Sequence, residues 1–162
     1  MRIHVPTRLR WSDLDAYGHV NNAQMFGLLE EARIHAFWEG DNAAGDAPPT
    51  RIFRGGPTAD TFTLIAHQEI EYLAPIAYQR DPLDLELWIG RLGGASLEVC
   101  YEVWSPIGEV PRMLFTRATT TIVLVDSATM KPRRIRDDER DAVEPYLEPM
   151  IEFGRKGSEN AR

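Results

Sequence analysis

Residues 22–38, NAQMFGLLEEARIHAFW, decide the fold. Met25, Leu29, Ala32 and Ala36 recur at spacings of three and four, the period of a helix. Phe26 and Phe37 flank that stripe, and Leu28, Ile34 and Trp38 lie on other sides. A helix apolar over so much of its circumference is expected to be surrounded, not laid on a surface. Asn21 or Asn22 supplies the N-cap, since its side-chain carbonyl accepts an N–H that the first turn leaves unpaired. Gly27 costs helix stability and is expected to mark the close approach of a strand.

Working outward, residues 3–11 alternate. Ile3, Val5, Leu9 and Trp11 fall on one face and His4, Arg8 and Arg10 on the other, a half-buried strand. Pro6 has no N–H to donate, so this strand belongs at an edge or carries a bulge. Residues 39–60 are dominated by Gly, Pro, Asn and Asp and read as a long loop. Strands follow in series at 61–73, 83–91, 96–104 and 112–125. The first should place Phe62, Leu64, Ala66, Ile70 and Tyr72 on one face. The next two should turn Leu83, Leu85, Leu87 and Ile89, then Leu97, Val99, Tyr101 and Val103, inward. Their short connections favour antiparallel pairing. A short helix is expected in DDERDAVEPYLE and a flexible tail at 151–162, leaving residues 1–150 as a single domain. The order predicts an α+β chain, its antiparallel sheet wrapped around one long central helix. The rival is a sandwich with the helix on a flat sheet face.

Composition narrows the function. With 162 residues the chain is long enough for a real core. A net charge of -7 argues against sequence-independent nucleic-acid binding, which favours a basic face. Cys100 is the single cysteine, so neither an intrachain disulfide nor a cysteine-built zinc site is available. No signal peptide and no membrane-spanning run is seen, the latter needing about 20 apolar residues. A soluble cytoplasmic protein is expected.

Immediately before the helix, residues 11–22 read WSDLDAYGHVNN. A calcium loop starting at Asp13 would need an acid where Gln24 stands and an oxygen ligand where Tyr17 stands. A phosphatase-like aspartate pair would need an apolar parallel strand that the chain lacks. No metal is expected. The plainer reading is a turn and a helix cap.

DLDAYGHVNN followed by LLEEAR resembles the hot-dog-fold acyl-CoA thioesterases of the 4-hydroxybenzoyl-CoA thioesterase type. The later segments EIEYLAPIAYQRDPLDLELWIGRLGGASLEVCYEVWSPIGE and TRATTTIVLVD are similar in order and spacing. The resemblance covers about residues 3–135. It implies a hot-dog fold, sites at a dimer interface and thioester hydrolysis without a cofactor, on acyl-CoA or an acyl-carrier-protein thioester. It implies Asp15 as the catalytic carboxylate, acting as base or nucleophile. The Asn22 N–H, in the first turn of the helix, is the expected oxyanion donor. His19 is a candidate to orient water or substrate, weighed equally against a loop-bracing histidine. Tyr17, standing where related plant enzymes carry Asn, and Gly18 are expected near the substrate.

The resemblance also directs attention to the thiol carrier. Basic residues just before the position of Ser96 help bind CoA in the type matched; here that run is GGA, with Arg91 slightly earlier. Arg91 and Ser96 are carried as substrate-binding candidates, beside Lys131, Arg133 and Arg134, although ordinary surface charge is the plainer reading of each cation. Asp13 reads as a turn stabiliser. Glu30 and Arg33, at i,i+3, read as a buried structural ion pair, and Arg33→Met is expected to strand Glu30. Two other classes remain: a hot-dog hydratase or dehydratase pairing His19 with Asp15, and a non-catalytic acyl-binding protein. The exposed edge expected of the strand at 61–73 implies a homodimer or a dimer of dimers.

Overall fold

The computed structural model describes residues 1–38, 52–54 and 56–154. Most of the loop expected at 39–60 therefore lies outside the described residues. Five strands form one antiparallel sheet: β1 (Ile3–Thr7), β2 (Thr61–Tyr72), β3 (Leu83–Leu92), β4 (Ser96–Trp104) and β5 (Leu114–Asp126). They are ordered β1-β3-β4-β5-β2. Helix α1 (Asn22–Phe37) is held within the curl of this sheet, and a shorter α2 (Asp137–Val143) follows β5. This is the α+β hot-dog arrangement.

Alternation builds the inner face. Leu83, Leu85, Leu87 and Ile89 of β3 and Val99, Tyr101 and Val103 of β4 are fully buried. Ala118, Ile122 and Leu124 of β5 join them in one core. Each leucine removed from water contributes about 1.5–3 kcal/mol. Met25, Leu28, Leu29, Ala32, Arg33, Ala36 and Phe37 of α1 are buried. They recur every three or four residues, so the helix buries one broad stripe.

Several expectations need correction. The helix is not surrounded within one chain, for Ile34 is 46% exposed on its far side. Gly27 sits on that open side, where a Cβ would meet nothing within 4 Å, so no strand approaches it. Trp11 is 77% exposed, because β1 stops at Thr7 and a 3-10 turn at Trp11–Asp13 breaks the alternation. Pro6 is accommodated because β1 is an edge strand, paired only with β3. In β2 the register shifts between Ile65 and His67, leaving Ala66 as a bulge. The bulge reverses the parity: Thr63 and Ile65 share a face with Leu124 and Ile122, whereas beyond it Ile70 and Tyr72 do so with Ala118 and Thr116. Phe62 and Leu64 thus lie opposite Ile70 and Tyr72.

The outer face of the sheet is charged and covered. Arg112 bonds Asp84 and, at 2.8 Å, Glu86, while Arg2 reaches Glu86 at 2.8 Å and Glu102 at 2.7 Å. Beyond α2 the chain returns over this face. Trp88 Nε1 donates to the Pro149 carbonyl at 2.9 Å. Gly90 leaves room for Met150, whose sulfur a Cβ would strike. Residues 151–154, the start of the expected tail, continue to β2, where the Gly154 N–H donates to Glu71 Oε1 at 3.0 Å.

Candidate active site

The connection from the 3-10 turn to α1 is built by its aspartates. Asp13 is 1% exposed; its carboxylate accepts the Arg10 N–H at 2.7 Å and the Arg10 guanidinium at 3.2 Å. Its carbonyl accepts the Asn21 N–H at 2.8 Å. Both ends of the turn are thereby tied, and Asp13 is consumed in holding it. Asp15 is arranged differently. Its Oδ1 accepts the N–H groups of Tyr17 at 2.8 Å and His19 at 3.1 Å, an Asx turn that Gly18 completes at φ +78°. Oδ2 makes no hydrogen bond among the described residues. The turn therefore pins one carboxylate oxygen and leaves the other open.

The helix start is equally asymmetric. Asn21 is the N-cap, its side chain accepting the Ala23 N–H at 2.8 Å. Met25 N–H bonds the Asn21 carbonyl at 3.1 Å. The Asn22 N–H makes no hydrogen bond among the described residues, so a first-turn donor and the positive end of the helix remain available. Tyr72, at the end of β2, donates its hydroxyl to the Asn22 carbonyl at 2.7 Å and ties the helix mouth to the sheet. Burial pushes the Tyr72 phenol above its ordinary pKa, which keeps it protonated as a donor.

These groups meet in one pocket of about 410 Å³, lined by Asp15, His19, Val20, Asn22, Met25, Tyr72, Leu73, Ala74, Pro75, Ile76 and Thr116. Strand-like bonds hold its rim: Val20 N–H to the Ile76 carbonyl at 2.8 Å, and a bridge between His19 and Ala77. Of the residues singled out in the sequence, the structure brings Asp15, His19 and Asn22 together. Tyr17 is 85% exposed at the loop tip and Gly18 lies beside it; neither lines the pocket. Arg91, 75% exposed and 4.0 Å from Glu98, and Ser96 sit at the far end of β3 and β4 and do not line it either. Sequence reasoning missed Tyr72, Ile76 and Thr116 as site residues. Tyr72 carried one signal, an inward-facing aromatic at a strand end.

Arg33 and Glu30 pair at 3.6 Å, but their burial is unequal. The Arg33 side chain is 3% exposed and that of Glu30 is 59% exposed. The cation is the buried member, so removing it strands no buried carboxylate; this corrects the expectation for Arg33→Met. Arg33 Nη1 also donates to the Tyr101 hydroxyl at 3.1 Å.

Metal-ligand geometry occurs elsewhere. His4, Asp84 and Glu86 bring one ligand atom each within 4.8 Å of one another on the outer sheet face. The Arg112 guanidinium bonds both carboxylates there, so their charge is already answered by a side chain. Burial would raise the Glu86 pKa, but the hydrogen bonds from Arg2 and Arg112 outweigh it and hold the carboxyl below its ordinary range. Burial drives the Cys100 thiol up to about 11, which makes it a poor nucleophile.

Asp15 and the first turn of α1, a helix held in a curled sheet, thus line one pocket. The model of the thioesterase-like superfamily matches residues 9–143, and the chain belongs to that family of thioester hydrolases. Its fold is similar to that of a thioesterase-superfamily protein from Jannaschia sp. CCS1, at 18% identity over 90% of this chain and 93% of that one, TM-score 0.71. It is likewise similar to Slr0204 of Synechocystis, a 1,4-dihydroxy-2-naphthoyl-CoA thioesterase, at 19% identity over 88% and 96%, TM-score 0.68. PA2801 of Pseudomonas aeruginosa shares 26% identity over 88% and 96%, TM-score 0.66. No match is found among the curated proteins.

Proposed function

We propose that the chain hydrolyses an acyl-CoA thioester in the pocket between Asp15 and Asn22. The observation that carries this reading is the pair of unspent groups. Asp15, whose Oδ2 is open, and Asn22, whose N–H is unpaired among the described residues, line one pocket, while Asp15 Oδ1 and the Asn21 side chain are spent on the turn and the cap. The thioester carbonyl accepts the Asn22 N–H, at the positive end of α1, where negative charge gathers in the tetrahedral intermediate. Asp15 Oδ2 removes a proton from attacking water, or attacks the carbonyl itself and forms an anhydride that water opens. The thiolate departs and takes up a proton. CoA as the carrier fits the shared fold of Slr0204, a CoA thioesterase.

The hydratase alternative requires an imidazole–carboxylate relay. The Asp15 carboxylate accepts the backbone N–H of His19, and no bond joins it to the ring. That arrangement favours hydrolysis. Incubation with a panel of acyl-CoA thioesters and a thiol reagent, beside an enoyl-CoA hydration assay, separates the readings. Thiol release without hydration is expected; hydration alone moves the chain to the other class, and binding without turnover makes it an acyl-binding protein.

The assembly proposed is a two-fold dimer, or a dimer of such dimers, joined along β2. This 12-residue strand has a neighbour on one side only, and Leu64 and Ile65 on it are each 44% exposed. A long apolar edge is normally covered. Sedimentation should show no monomer at micromolar concentration; a stable, active monomer contradicts the proposal. Among the described residues no helix is long and apolar enough to cross a membrane, and the lone reduced cysteine suits the cytoplasm.

A further inference from the structure

We infer that Thr116 determines specificity: its hydroxyl hydrogen-bonds an oxygen on the acyl group, so that the preferred substrate is a hydroxylated or oxo-substituted acyl thioester. This rests on the thioesterase reading of the same pocket. Thr116 is 1% exposed, and its Oγ1 is buried without a hydrogen-bond partner. Its cross-strand partners are Val103 on β4 and Tyr72 on β2. Residues paired across strands share a face; Val103 belongs to the core and Tyr72 lines the pocket. The Thr116 side chain therefore stands on the inner face, and the residue lines the pocket that Asp15 and Asn22 open into.

A buried hydroxyl left unpaired is a costly choice, and valine would fill nearly the same shape in a strand without that cost. Buried polar groups are almost always satisfied, and an exception calls for a partner from outside the chain. The remaining pocket wall near Thr116 is apolar, contributed by Met25, Ala74 and Ile76, as suits the body of an acyl group. The thioester carbonyl already has the Asn22 N–H. Thr116 thus answers a second oxygen, further along the acyl group.

The test compares straight-chain acyl-CoA thioesters with hydroxylated and oxo-substituted counterparts of equal length, using wild type, Thr116→Val and Thr116→Ser. Wild type should favour an oxygenated member by roughly tenfold in kcat/KM, the worth of one hydrogen bond. Thr116→Val should lose that preference through the oxygenated substrates alone, with an unchanged or higher melting temperature; Thr116→Ser should keep it. No preference in wild type overturns the inference. So does an equal loss on every substrate in Thr116→Val, which would place the hydroxyl at the thioester itself. If no thioester is cleaved, the hydrolase reading fails, and the same ratio read as Kd by calorimetry still decides Thr116: equal values sink it.

Discussion

Two regions of this chain gather charged groups, and they treat them in opposite ways. On the outer sheet face, Asp84 and Glu86 are almost wholly buried, and each is bonded by arginine, with Arg2 also bridging to Glu102 and Glu148. Both guanidinium groups lie over tryptophans, Arg2 3.9 Å from the Trp88 centroid and Arg112 4.7 Å from that of Trp104. At the helix mouth the polar groups are fewer and some are left unspent: an Asp15 oxygen, the Asn22 N–H, the Thr116 hydroxyl. Paired charge builds structure; unpaired polarity facing a pocket offers chemistry. Counting acids and bases alone would point to the outer face.

That contrast predicts that damage to the outer face is read in stability and damage to the mouth in turnover. The largest stability loss should follow Arg112→Met, which among the described residues leaves the Asp84 carboxylate with His4 alone, at 3.0 Å. Breaking a buried pair costs roughly 3–5 kcal/mol, and the partly exposed Arg112 places this case near the lower end. Chemical denaturation measures it, and hydrolysis by the remaining folded protein should be near normal. A folded, stable but inactive Arg112→Met would erase the distinction between the faces.

Acid should act next. The carboxyls of Glu86 and Glu139 are held below their ordinary range in the folded chain. For each, burial would raise the pKa, but arginine hydrogen bonds outweigh it, and for Glu139 the Arg136 backbone N–H assists. The unfolded chain therefore binds more protons than the folded one near the ordinary glutamate pKa. Their contribution is complete above that value and is lost as pH falls through it towards the depressed folded values. Melting temperature should fall between about pH 5 and about pH 3. In the Glu86→Gln variant that fall should be shallower; an unchanged slope would remove Glu86 from the account. The smallest effect belongs to Glu30→Gln. Its exposed partnership with Arg33 is worth about 0–1 kcal/mol, as for surface ion pairs. A loss several times larger in thermal melts would show that Arg33 depends on Glu30 far more than the 3.6 Å contact implies.

The sequence exposed those parts of the fold whose information is local. Strands β3 and β4 read cleanly because alternation runs unbroken from Leu83 to Ile89 and from Leu97 to Val103, short of the register shifts at Gly90 and Trp104. The bulge at Ala66 left no mark in composition, and it reversed half of β2. Trp11 looked inward because period two was carried past Thr7, where backbone hydrogen bonds turn the chain aside. At the candidate site, Asp15, His19 and Asn22 are legible as neighbours because one short connection holds all three. Thr116 and Tyr72 reach the same pocket only through strand pairing. The open side of α1 was illegible for another reason: an apolar residue such as Ile34 reads alike whether its own sheet or a second chain covers it.

The central claim, that the mouth of α1 is where chemistry happens, is met most directly by measuring thiol release and melting temperature together for Asp15→Asn and Asp13→Asn. Asp15→Asn keeps the shape of the turn but removes the open carboxylate, and hydrolysis should fall about 10²–10⁴-fold, the range for a positioned acid–base group. Its melting temperature should change little. Asp13→Asn weakens the tie to Arg10 and should lower the melting temperature while the folded fraction still turns over. Near-normal hydrolysis by Asp15→Asn, with Asp13→Asn folded and inactive, would contradict the account and move the reaction to the buried acid.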